Sequence, residues 1–161
     1  MSRIAVARAR PRRTLLRLSS LSLAALACLP AHAVDVVWTG NGGTTSWQTA
    51  ANWAPALPGA GDAVQIGPVA LVSFGGSGAP AASVASLQSL AADFRLQTGV
   101  LTLAETSSLQ RMTQSSGALR GAGTVTVQQS QINGGAQLDA GRLLMAAGGS
   151  HSWGGAGFQA D

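Results

Sequence analysis

The sequence predicts an all-β chain: a right-handed parallel β-solenoid with a tryptophan-rich amino-terminal cap, preceded by a signal helix that is cleaved on export. No window after the leader sustains apolar residues at i, i+3, i+4 and i+7, so amphipathic helices are not indicated. Short runs alternating apolar with polar residues recur instead, between Gly- and Ser-rich turns. These runs follow one template, repeated at intervals of about twenty to twenty-five residues. An antiparallel β-sandwich is the alternative, because similar strand spacing also satisfies it.

Residues 1–33 form the leader. Arg3, Arg8, Arg10, Arg12, Arg13 and Arg17 precede an apolar stretch from Leu18 to Leu29, which ends in Pro30 and the small-residue triplet Ala31, His32, Ala33. That is the basic region, apolar region and cleavage site of a secretory signal, with cleavage expected after Ala33. A membrane-spanning helix needs about 20 apolar residues; this run is shorter and a proline closes it. Arg12 and Arg13, followed by Thr14, Leu15 and Leu16, also resemble a twin-arginine export motif, so both export routes stay open. Cys28 reads as an apolar-region residue, since Ala25, Leu26 and Ala27 fit a lipid-attachment motif poorly.

Cleavage changes the charge. Six of the ten basic residues leave with the leader, and Arg95, Arg111, Arg120 and Arg142 then face Asp35, Asp62, Asp93, Glu105, Asp139 and Asp161. The balance moves from +4 for the whole chain to −2 for the remainder, so the basicity belongs to the leader. Four scattered arginines make no basic face for nucleic acid. The remaining 128 of 161 residues hold no cysteine, so disulfides cannot staple the fold although export permits them. That length suffices for one domain with a packed core.

Residues 34–66 read as the cap. They carry Trp38, Trp47 and Trp53 among Gly40, Asn41, Gly42, Gly43, Asn52, Pro55, Pro58, Gly59 and Gly61, and end in Asp62 to Ile66. A solenoid must cover the open interior of its first coil, and bulky indoles in a turn-rich segment can do so.

Residues 67–161 read as the repeats. Strands are expected over Val69–Phe74, Val100–Leu103, Thr124–Val127 and Leu143–Met145. Leu96 to Leu103 and Leu138 to Met145 share one template: Leu, two variable residues, Gly, one variable residue, then apolar residues two apart. Leu119 to Val127 fits with one inserted residue. Asn133 to Ala140 and Trp153 to Ala160 share Gly, Gly, Ala and a final Ala at an offset of twenty. The expected stack places Leu101 and Leu103 over Val125 and Val127, then Leu143 and Met145, with Thr102, Thr124, Thr126 and Leu144 outward. Gly99, Gly123 and Gly141 are expected at corners with positive φ.

The succession Trp38, Gly40, Trp47, Asn52, Trp53, Pro58, Gly59, Asp62, Val64 and Ile66, followed by Leu, Gly and Val repeats, resembles the start of exported bacterial β-helix surface proteins. Passenger domains of autotransporters are among these. The resemblance implies a structural stalk or adhesive surface at the cell exterior, cell surface or periplasm. It brings no catalytic residues, and its partners would be surface glycans or other cell-surface proteins. A membrane barrel, with strands of about ten residues and aromatic girdles, is not read in this sequence. The chain stops at Asp161 in mid-repeat by the twenty-residue register, so the expectation is an amino-terminal piece of a longer protein, or a truncated gene product.

Chemistry is sparse after the leader. His151, the one histidine left, sits in a turn-like Gly149, Ser150, His151, Ser152, Trp153 setting and is expected to be exposed. One histidine and scattered carboxylates lack metal-ligand spacing, and a nucleophile with its base is not indicated. Asp139 aligns with Gln97, Arg120 and Gln159, and Asp62, Asp93 and Glu105 have no counterparts, so no carboxylate ladder is expected. Gly40 to Gly43 and Gly75 to Gly78 match no phosphate loop. Neither catalytic, cofactor nor metal residues are therefore expected, and the mature part is read as having no membrane span. The leading expectation is a secreted or surface structural segment. One rival is a carbohydrate-binding module in which Trp38, Trp47 and Trp53 form a platform beside Asn41 and Asn52. The other is a non-catalytic fragment of a β-helical polysaccharide enzyme.

Overall fold

The structure, a computed structural model, describes residues 34–68, 71–138 and 143–154. The leader with its Ala33 cleavage point, Asp139, Gly141 and the repeat beyond Gly154 lie outside the described residues. Among these residues twelve strands follow in chain order: β1 Asp35–Trp38, β2 Trp53–Ala54, β3 Ala63–Ile66, β4 Leu71–Phe74, β5 Ala81–Val84 and β6 Ser86–Leu96. Then come β7 Val100–Leu103, β8 Ser107–Gln114, β9 Ala118–Arg120, β10 Val125–Asn133, β11 Gln137–Leu138 and β12 Leu143–Gly154. A short 3₁₀ turn, Ala50–Asn52, precedes β2. Among the described residues no helix is long and apolar enough to cross a membrane.

The strands form stacked coils, a β-solenoid of about four turns. One sheet runs β12-β10-β8-β6-β3-β1-β2, with β4 also beside β6, and the other runs β11-β9-β7-β5. Among the described residues every strand pairing is parallel except β1 with β2, which folds back with Trp38 opposite Trp53. Parallel pairing follows from the sequence order, since each strand is laid beside the one a full coil later.

The long strands turn a corner within themselves, and the burial pattern shows where. In β8 Ser107 and Leu109 are buried, Gln110 and Arg111 are both exposed, and burial resumes at Met112 and Gln114. In β10 the break falls at Gln128 and Gln129. Two successive outward residues reverse the phase of a period-two strand, which keeps the next limb facing the same interior. Each later coil thus contributes two limbs to the larger sheet and one strand to the smaller.

The register corrects the expected stack. Leu101 and Leu103 lie in the smaller sheet, where Leu101 is opposite Ala82 and Leu119, whereas Val125 and Val127 lie in the larger one opposite Ser107 and Leu109. Val125 and Val127 are in register with Leu143 and Met145, as the template has them. The template fails between its first two copies because it describes strand, corner glycine, strand, and that chemistry occurs at more than one corner. Gly99 joins the second limb to the smaller sheet, and Gly123 joins the smaller sheet to the next first limb. The true coil spacing is shorter in the middle: Arg111 bonds to Gln129 eighteen positions on. At the end it is 21, between Ser130 and His151, rather than the expected twenty.

The two corner glycines serve different needs. Gly99 has φ +85, as expected, and Pro80 of the preceding coil packs against the place a side chain would take. Gly123 does not have a positive φ; a Cβ there would collide with the backbone of Glu105, so close approach, not handedness, excludes a side chain.

Inward residues form rows. Val36, Val64 and Leu87 share one, and Val72, Phe94, Met112 and Ser130 another. Val64, Val72 and Leu87 are fully buried, Phe94 and Met112 are 1% exposed, and Leu101 and Leu103 close the interior from the smaller sheet. Outward Thr102, Thr124 and Thr126 are half-buried.

Candidate functional site

The tryptophans considered for sugar contact are 6% (Trp38), 1% (Trp47) and 5% (Trp53) exposed. Trp47 is the hub. Its ring meets Trp53 at 4.6 Å, Phe74 at 5.7 Å and Phe94 at 6.0 Å, all edge-on, while Trp38 meets Trp53 at 4.9 Å. Trp53 Nε1 donates to the Trp47 carbonyl at 2.7 Å, satisfying the one polar atom of a buried indole. The aromatic group therefore plugs the first coil and runs on into the interior through Phe74 and Phe94.

Asn52 is fully buried, and its side chain is spent on the preceding loop. Its Nδ2 donates to the carbonyls of Thr44 and Ser46 and to Thr44 Oγ1, each at 3.0 Å, and its Oδ1 accepts from Gly42 N at 2.8 Å. Thr39 and Gly40 bond to its carbonyl. One side chain thus ties together the loop from Gly42 to Ser46. Asn41 is exposed.

The ionisable groups are dispersed. Asp62 accepts from Gly59 N at 2.8 Å and Val34 N at 3.3 Å, fixing the turn into β3. Asp93 pairs with Arg95 at 3.2 Å and accepts from Thr113 Oγ1 at 3.4 Å. His151 departs from its expected exposed turn: it lies in β12, is half-buried, and its Nδ1 is 2.9 Å from Ser130 Oγ. The inward row that holds Phe94 and Met112 continues through Ser130 to His151, which explains its burial. Among the described residues no group of three His, Cys, Asp or Glu side chains is placed to hold a metal ion.

The second limb of the larger sheet carries the most connected polar surface. One outward row runs Ser73, Arg95, Thr113, Gln131, Ser152, and beside it runs Asp93, Arg111, Gln129, Ser150. Parallel strands lie roughly 4.8 Å apart, so each row is a ladder of hydrogen-bonding groups at that spacing. Arg111 Nε donates to Gln129 Oε1 at 3.0 Å across one such step. Between the rows lies an open groove of about 180 Å³ lined by Arg111, Thr113, Gln129, Gln131 and Ser150. The sequence reading missed this surface because a twenty-residue register does not set Arg111 beside Gln129. A search for polar pairs eighteen apart would have found it.

Comparison of the chain with protein-family models, with curated proteins and with solved structures finds no match in any of the three.

Proposed function

We propose that this chain is an exported structural segment that displays its solenoid surface outside the cytoplasm and acts by contact rather than catalysis. It would belong with the adhesin-like β-helix surface proteins that its tryptophan, glycine and asparagine succession resembles. The observation that carries this reading is the outward polar ladder on the second limb, which spans successive coils and so offers a partner a repeated contact instead of a single pocket. The basic and apolar regions of residues 1–33 support export. A sugar platform on Trp38, Trp47 and Trp53 needs open ring faces, and their packing lends it no support.

The test is expression of the full chain in a bacterial host, followed by fractionation and amino-terminal sequencing, then binding of the released product to bacterial cells or immobilised polysaccharides. The expected product begins at Val34, lies outside the cytoplasm and is retained on at least one such surface. A cytoplasmic product still carrying its leader, or an exported one retained on none, would overturn the proposal.

A further inference from the structure

We infer that the groove on the second limb binds acidic polysaccharide, with Arg111 receiving a carboxylate of the chain. The inference rests on the contact-surface reading above and names its ligand class.

Charge on this limb is uneven. Asp93 is engaged by Arg95 through both Nε and a terminal nitrogen at 3.2 Å, and it also accepts from Thr113. Asp93 and Arg111 are opposite one another in register, yet the carboxylate is turned to Arg95. Among the described residues, Arg111 bonds only through its Nε, to a neutral Gln129. The limb therefore carries one surplus positive charge on an exposed guanidinium whose plane that bond orients. An oriented guanidinium presents its terminal nitrogens as a fork, the geometry that pairs with carboxylate.

The rest of the lining selects what bears the carboxylate. Thr113, Gln129, Gln131 and Ser150 supply hydroxyls and amides, which both donate and accept, as sugar hydroxyls do. Protein partners are anchored by aromatic and large apolar groups, and Met112, the large apolar residue at this groove, is 1% exposed. The volume of about 180 Å³ is below the roughly 300 Å³ of enclosed small-molecule sites. An open, shallow channel crossing strands at roughly 4.8 Å suits a polyhydroxylated chain lying over several coils.

The experiment is calorimetric titration of the exported protein with hexagalacturonate and with the same hexamer methyl-esterified, which keeps the hydroxyls and removes the charge. Hexagalacturonate should bind at least tenfold more tightly than the ester. Arg111→Gln should weaken it about tenfold, and Arg120→Gln, an exposed arginine on the smaller sheet, should leave it unchanged. Absence of hexagalacturonate binding at millimolar concentration, equal binding of the ester, or an equal loss in Arg120→Gln would each overturn the inference. Retention on cells or polysaccharides that survives Arg111→Gln would sink this site alone and leave the contact-surface proposal standing.

Discussion

The first coil and the later coils are filled by different chemistry. Near the amino terminus Trp47, Trp53, Phe74 and Phe94 interlock, and the buried polar residue among them, Asn52, has both its amide nitrogen and its oxygen satisfied. Further along, the same inward rows pass to Gln114, Ser130 and His151. Gln114 is fully buried; its Nε2 bridges the carbonyls of Gly117 and Gln137 at 3.1 Å, and its Oε1 meets no partner among the described residues. In a stack where each coil leans on its neighbours, stability is a sum of local terms, so these coils should differ in strength. The aromatic end anchors, while in the later coils buried aliphatic residues such as Leu109, Met112, Val125, Val127 and Ile132 share the interior with these polar groups.

The largest expected effect is at the anchor. Trp47→Ala removes the hub of three ring contacts and should cost about 4 kcal/mol in denaturant unfolding. A loss below about 1 kcal/mol would mean the later coils carry the fold. Asn52→Ala leaves the Gly42 amide and the Thr44 and Ser46 carbonyls without their partner and should cost ~3 kcal/mol. Its protease sensitivity should appear between Thr39 and Ser46; cleavage first in β8 or β10 would contradict the clasp assigned to it.

Gly123→Ala tests a corner between later coils. The added methyl must push aside the Glu105 backbone, at about 2 kcal/mol, and hydrogen exchange should speed in β8 and β10 before β3. Uniform acceleration would show that the coils open as one unit. The smallest effect is expected for Gln114→Met, within about 1 kcal/mol either way, because the lost bonds are offset by removal of a buried unpartnered oxygen. A cost above ~2 kcal/mol would show that the oxygen has a partner, such as an ordered water.

Several elements were legible from local pattern. Val100–Leu103 appears as the same strand that alternation indicates, Gly99 occupies the positive-φ corner expected of it, and the tryptophan segment sits at the first coil. What misled was equivalence. Leu96–Gly99–Leu101 and Leu119–Gly123–Val125 look alike because both corners need a residue that tolerates tight backbone approach, although they are different corners. His151 reads as a turn residue from its Gly and Ser neighbours, yet the ladder to Ser130 draws it into a strand. All but one of the partners of the Asn52 amide are backbone atoms six to ten residues earlier, which a side-chain pattern does not reveal.

The sequence by itself determined the class of structure, because period-two alternation and turn glycines are properties of neighbouring residues and need no distant partner. Only the tertiary structure decided the register. Coil spacing varies from eighteen between Arg111 and Gln129 to 23 between Val64 and Leu87, as corners absorb different numbers of residues. Since a one-residue slip reverses every side chain, the polar rows and the groove between them exist only once that register is set by packing across coils.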